Sequence, residues 1–568
     1  MGNRRLLSGK IAYPIFMLAG FLFVFICGAE RDLALNGNII WNPAYTVRLS
    51  AGSLFAGGLL GAAVCYVIRL VSRGEFAGII KTQTHPKPGE GQVMLGSFVL
   101  SAMAWFPVYL AYYPGICAYD TPVQLGQIMD GYMIDHHPIA HTLLLKLAIN
   151  AGQAVWGSVN DGMGLYTFFQ MLFLAFGFAY AVGTLRRFRA SGICICIVQL
   201  CVMFYPFNAY MSVSTTKDTV FTGFFLIMIS AFMRLLSERR DTLTVKGTDA
   251  VFFIAAVGSI LFRNNCRYAI MVLLPFMLIT AVAGIKKKKN GRLFIRLLLN
   301  VVLSFVVGSI SLTVMFNLTD AQQGDRREML SMPIQQFARC MLYHGGVGVL
   351  PEDDGTMDEE AKSLINDFLL DEAYKEYEPG FADPVKRHTN TYVARYRSSE
   401  FIGTYLRLLW DYPGDFINAA LALDAGYLYP GDESHAHVNE VEGQSGRGYI
   451  QTYWSEADLT PRGLTKASKL EGLHELLEAW ADGNAYLDIP VLKYIFVPGT
   501  FLWLYVLLAG ILLINRKYRL LLPVMLVFGY YATLLLGPTV QLRYIFPLMA
   551  VLPFIALLSL MKGKNSDD

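Results

Sequence analysis

The amino-acid sequence predicts an all-α polytopic membrane protein of about twelve transmembrane helices, with interfacial helices and one mostly helical extracytoplasmic domain. Three observations carry that prediction. Apolar residues make up 54% of the 568 and charged residues only 16%, a balance unsuited to a soluble globular chain. Apolar runs of spanning or near-spanning length recur along the chain. Between residues 317 and 490 the composition turns polar and acidic, with 14 Lys and Arg against 30 Asp and Glu.

The first run, 11–29, follows a basic start that resembles a signal peptide. It is long enough to span and others follow, so it reads as a retained helix. Together with 49–71 it forms an amino-terminal pair within residues 1–92. The next runs are 93–113, 163–184, 191–210, 219–236, 250–264, 268–285 and 294–316, grouped as a module over 93–316. Three more, at 491–514, 519–536 and 541–561, fill residues 491–568. The stretch 139–156 differs from these. It holds His141, Lys146, Asn150 and Gln153 in a leucine-rich pattern, which reads as an interfacial helix. If that helix lies outside and the amino terminus inside, the clusters Arg69/Arg73, Arg186/Arg187/Arg189, Arg239/Arg240, Lys286 to Lys289 and Arg516/Lys517/Arg519 all face the cytoplasm, as do both termini. Letting it span would put Lys286 to Lys289 outside. The same topology exposes 114–162, Ser212 to Asp218, Arg263 to Arg267 and Gly537 to Arg543 on the outer side, with 317–490. That domain shows helical apolar spacing and a single cysteine, Cys340, so it has no internal disulfide. Its excess of acid argues against a nucleic-acid partner.

The outer segments hold the candidate chemistry. Residues 112–141 carry Asp120, Asp130, Asp135, His136, His137 and His141 between hydrophobic stretches, where polar groups need water or a ligand. Thr121-Pro122-Val123-Gln124 reads as a capping box with proline at the first helical position, so a short helix runs from Pro122 to Gly131. Asp120 then stands before its positive end, suited to accept a hydroxyl proton or bind a metal; the plainer role is to complement the helix dipole. His137 and His141 share a helical face, but no third zinc ligand follows from the spacing, and contacts to phosphate, sugar or backbone suit them better. Lys217 and Asp218 sit at the mouth of a helix, as a phosphate contact with its orienting acid or as an anchor and cap. Arg263, Asn264, Arg543 and Tyr544 lie at outer helix ends, where basic residues are few. A lipid phosphate would account for them, as would ion pairs with the acidic domain. Asp432, Glu433, His435 and His437 read as a solvated loop.

On YPGICAYDTPVQ with HHP in the first large outer loop, STTKD in the next, RNN after it and GPTVQLRYIFP near the end, the chain resembles the GT-C superfamily of integral membrane glycosyltransferases, most closely its uncharacterised bacterial members. The resemblance covers roughly 93–316 and the last three helices. It implies a bacterial plasma-membrane enzyme that moves a sugar from a polyprenyl-phosphate donor to an extracytoplasmic glycan, lipid or protein acceptor with inversion. By position Asp120 is the base or a metal ligand, and Pro122 to Asp130 and Ile139 to Trp156 match the surface helices that follow. The chain departs from the pattern in its two preceding helices and in Thr121, where related mannosyltransferases carry a second acid, which leaves a divalent cation open. The candidate catalytic set is Asp120, His137 and Asp218. The candidate substrate-binding set is Gln124, His136, Lys217, Arg263, Asn264, Arg543 and Tyr544. Two other readings stand beside transfer: a twelve-helix secondary transporter, and a polymerase or ligase of lipid-linked glycans. The transporter fits less well, because charges gather at helix ends rather than at span centres.

Overall fold

The computed structural model describes residues 3–73, 88–118, 120–238, 241–288, 290–431, 450–482, 486 and 488–561. Among them every regular element is helical, and β-pairing is confined to isolated bridges. The sequence features at Arg239, Arg240 and Lys289 and the loop cluster Asp432, Glu433, His435 and His437 lie outside the described residues.

Helices α1 (Asn3–Asn36) and α2 (Pro43–Arg73) pack together through glycine. A Cβ at Gly57 would lie 2.4 Å from the Gly20 carbonyl oxygen, and one at Gly61 only 2.1 Å from that of Phe16, so only glycine permits this backbone approach. The chain continues through α3 (Glu90–Ala111), α4 (Thr121–Asp130), α5 (Ile139–Trp156), α6 (Val159–Arg187), α7 (Gly192–Phe204) and α8 (Pro206–Val213). Then come α9 (Lys217–Leu236), α10 (Gly247–Phe262), α11 (Asn265–Lys286) and α12 (Gly291–Leu318). α9 is apolar on every side and is wrapped by α6, α10 and the last helix, as its nearly complete burial requires.

Eight described helices are long and apolar enough to cross a membrane: α1, α2, α3, α6, α9, α11, α12 and the last helix. The bent pair α7–α8, broken by 54° at Pro206, makes a ninth if it is one span. Three shorter apolar helices, Gly247–Phe262, Pro498–Ile514 and Tyr518–Leu534, fall at other expected runs. α5 is not in either group.

The polar stretch after α12 folds as α13 (Ser331–His344), α14 (Glu359–Phe368), α15 (Asp383–Arg387), α16 (Thr391–Tyr396), α17 (Ser398–Asp411), α18 (Pro413–Leu428), α19 (Glu456–Leu459) and α20 (Glu471–Asp482). It does not stand apart as one body. Residues 334–416 close their own core around Phe337, Phe368 and Phe401, whereas Tyr427, Ile450, Ala481 and Tyr486 join the main helical core. Leu459 and Leu464 seal a third cluster against α4 and α5. The chain ends with α21 (Pro498–Ile514), α22 (Leu521–Leu534) and α23 (Leu542–Leu560).

The two ends of the bundle differ in chemistry. At one end Arg519 donates to the carbonyls of Leu236 and Glu238, while Arg296 and Lys246 pair with Glu238 at 2.9 and 2.7 Å. Residues 113–118, 120–138, 213–218, 262–265 and 537–544 meet at the other end, where the candidate site lies.

Candidate functional site

The site is assembled on two short backbone pairings. Ile116 N–H donates to Val213 O at 2.9 Å and Thr215 N–H to Ile116 O at 3.0 Å, which fixes the approach to Asp120 against the approach to Lys217. Gly115 makes this possible. Its φ is +150°, and a Cβ would come within 2.5 Å of Thr167 Oγ1. The expected capping box does not form. Helix α4 does run from Thr121 to Asp130 and stops at Gly131 in the left-handed conformation, but Thr121 Oγ1 bonds Thr215 O at 2.7 Å instead of capping. The Gln124 amide turns to Thr142 and His141. Tertiary partners that the local spacing cannot reveal have claimed both side chains.

Asp120 is the centre of a charged relay. Lys217 Nζ pairs with its Oδ2, and Arg543 grips both oxygens, Nη1 to Oδ2 at 3.1 Å and Nη2 to Oδ1 at 3.3 Å. Arg543 Nη1 also lies 3.5 Å from Asp218 Oδ2, and Asp218 in turn pairs with Arg263. The Arg263 guanidinium sits 4.6 Å from the Tyr544 ring centroid, with Tyr530 and Phe221 farther around it. Burial by itself would raise the Asp120 carboxyl, but Arg543 and Lys217 outweigh it and hold the group well below the usual carboxylate range. His137 Nδ1 is 3.8 Å from Asp120 Oδ2. Burial outweighs that attraction and, with Lys217, His136 and Arg543 nearby, pushes the imidazole down to about 3, so it is neutral.

These groups open onto a polar pocket of about 340 Å³. Its inner wall includes Asp120, His136, Gln541, Arg543 and Tyr544. The outer wall comes from the acidic stretch: Arg327, Glu328, Asp383, Lys386 and Arg387, with Gln451 and Tyr453. Lys386 ties Glu328 (2.7 Å) to Asp383, and Ala382 N–H donates to Pro538 O at 2.9 Å, seating this wall on the loop before α23. The sequence offered no signal for these outer residues, because nothing in their local pattern announces which surface they meet. The lining charges are four cations, Arg327, Lys386, Arg387 and Arg543, against three carboxylates.

The ten candidate residues therefore fall at different depths. Asp120, His136, Arg543 and Tyr544 face the pocket, and His137 and Lys217 contact or flank Asp120. Asp218 is fully buried, and Arg263 stands beside it; among the described residues neither is in the pocket lining. Gln124 is fully buried in a network that joins Thr142, His141, Tyr166 and Gln170. Asn264 precedes α11 outside the lining. Both His141 ring nitrogens are occupied, by Gln124 at 2.9 Å and Tyr166 at 2.7 Å, which removes it from the metal-type pair with His137. Among the described residues no three His, Cys, Asp or Glu side chains group as metal ligands, and the carboxylates of Asp120 and Asp218 are already engaged by cations. Among the described residues, the site therefore presents no ligand set that fits a divalent cation.

The fold and site define a polytopic α-helical membrane protein whose helices open a charged pocket at one end of the bundle. The chain belongs to the family described as "Family of unknown function (DUF6020)", whose profile matches residues 113–568. The match takes in the whole site and leaves α1, α2 and α3 outside it. No curated protein and no solved structure matches the chain.

Proposed function

We propose that this protein is a twelve-span membrane glycosyltransferase of the GT-C type, which moves a sugar from a polyprenyl-phosphate donor to an acceptor on the extracytoplasmic face of a bacterial plasma membrane. One observation carries the reading: Asp120, Lys217 and Arg543, from three segments far apart in sequence, meet in one ion-paired group, and Asp120 and Arg543 of that group line a polar pocket at the helix ends. A carboxylate beside two cations suits proton removal next to a departing phosphate.

The ion pairs give that chemistry an order. With the pocket empty of anion, Asp120 is a weak base, because Lys217 and Arg543 stabilise its charge. A donor phosphate competes for those cations, and as they turn to it the proton affinity of Asp120 rises. The acceptor O–H proton then passes to Asp120, the acceptor oxygen bonds to the anomeric carbon, and the carbon–oxygen bond to phosphate breaks with its electron pair on the phosphate. Arg543 and Lys217 stabilise that leaving group. Asp218 and Arg263 act from behind, holding Arg543 in place.

The test is the lipid-linked sugar content of membranes after gene deletion. A polyprenyl-phosphate monosaccharide should accumulate and be cleared by the wild-type gene, but not by Asp120→Asn. An unchanged lipid-linked pool, or full clearance by the variant, overturns the proposal; accumulation of a long lipid-linked chain instead favours a polymerase or ligase.

A further inference from the structure

Helix α17 has two apolar faces, and the described residues cover only one. Phe401, Thr404 and Leu408 are buried toward the outer-domain core. Ile402, Leu406, Leu409 and Trp410 recur at the i, i+4, i+7, i+8 spacing of a single stripe and are 55%, 56%, 38% and 86% exposed. The side chain of Arg407 turns instead to Asp358 and Glu360, at 3.3 and 3.2 Å. A water-facing helix gains nothing from such a stripe, and a tryptophan exposed to this degree signals a partner.

The position of the helix identifies the partner. α17 ends one residue before α18, which packs on the membrane-type helix α1 and on α21. At the first turn of α18, a Cβ on Gly414 would lie 3.2 Å from the Trp41 ring; one turn later Trp41 Nε1 donates to Asn418 Oδ1 at 2.8 Å, and Asn418 Nδ2 donates to Ile39 O at 3.0 Å. Residues 37–42 join α1 to α2, so they mark the level at which both helices leave the bilayer. Leu35 and Ile40 beside that connection are 71% and 74% exposed. Trp410 is only four residues from Gly414 and therefore continues an apolar belt at the membrane surface. Tryptophan prefers this zone, with its ring among lipid and its N–H among headgroups.

We propose that the Ile402–Leu406–Leu409–Trp410 face of α17 rests in the headgroup region of the outer leaflet, holding the outer wall of the pocket at a fixed height above the bilayer. This inference is independent of the reaction assigned to the pocket. Nitroxide labels placed singly at each position from 398 to 411 in the full chain, with Cys196 and Cys201 replaced and the protein in lipid nanodiscs, would test it. Collisions with lipid-soluble oxygen should exceed those with a water-soluble nickel chelate at 402, 406, 409 and 410, and the ratio should reverse at 407 and 411, which lie on the opposite side of the stripe. Equal access of the nickel chelate along the stripe overturns the proposal. So does spin–spin broadening at 406 and 410 that disappears on dilution with unlabelled protein, which assigns the face to a second copy. If the cysteine background does not fold, quenching of native tryptophan by brominated lipid serves instead. Trp410→Phe should remove a measurable share of it, and an unchanged quenched fraction sinks the idea.

Discussion

Asp120 faces two demands that pull in opposite directions. The cations that hold it in place also lower its affinity for a proton, so its substitution has separable consequences. Asp120→Asn removes the negative partner of Lys217 and Arg543, and breaking a buried pair from one side costs about 3–5 kcal/mol of stability. The freed cations should bind an anion more tightly, so affinity for polyprenyl phosphate should rise while turnover of the folded fraction falls by roughly two to four powers of ten. Calorimetric titration and single-turnover assays on the same preparation would check both signs; tighter binding with normal turnover would leave Asp120 a structural residue only. The histidines make a pH prediction. His137 and His141 are both pushed down to about 3 by burial, from the ordinary 6.5. Below pH 6.5 the unfolded chain therefore binds protons that the folded chain refuses, and stability falls as the pH falls, by up to about 1.4 kcal/mol per histidine per pH unit. Asp120 is depressed as well but adds nothing to this window, because its contribution is lost only as the pH falls below the ordinary carboxylate range. Thermal unfolding between pH 7 and 5 should show the loss, and His141→Gln should reduce its slope.

Helices and loops explain why some of this was visible in the sequence and some was not. Apolar length alone locates the membrane-type helices, and Gly131 ends α4 where its left-handed conformation requires. The failure at Thr121 is instructive: its hydroxyl prefers Thr215, 94 residues away, to the backbone N–H that a capping box would offer. Depth was equally hidden. Asp218 and Arg263 sit at helix ends, which suggested contact with a ligand, yet packing of α9 against α10 and α23 leaves them behind the pocket wall. Arg387 and Lys386 were illegible for the opposite reason, since their importance comes from a surface formed by residues 538–544. The Thr121–Thr215 contact makes a prediction at this scale. Thr121→Val keeps the shape and all charges but leaves Thr215 unpartnered at that oxygen, in a fully buried setting. Stability should fall by about 1–3 kcal/mol. Turnover should fall as well, because α4 and the Lys217 segment lose their tie. A variant as stable as wild type in chemical denaturation would show that the backbone bonds of Ile116 with Val213 and Thr215 suffice alone.

At the scale of the whole molecule the two ends of the bundle are unequal, and that inequality separates transfer from transport. Charged side chains at one end pair across 236–246, 291–296 and 516–519, with Lys287 and Arg516 exposed nearby; the pocket and its outer wall lie at the other. The positive-inside rule predicts that the first end faces the cytoplasm, and the proposed function rests on that orientation. A transferase of the proposed kind needs its pocket open only on the far side. A carrier must open the same pocket to both sides in turn, since alternating access is how it works. Single cysteines at 451, in the pocket wall, and at 287 distinguish the two. In intact cells a membrane-impermeant maleimide should label position 451, and position 287 only after permeabilisation. In inside-out vesicles the pattern should invert, with 451 protected however long the reaction runs and whatever polyprenyl phosphate is added. Slow labelling of 451 from the 287 side would mean that the pocket changes faces, and the glycosyltransferase reading would then give way to transport.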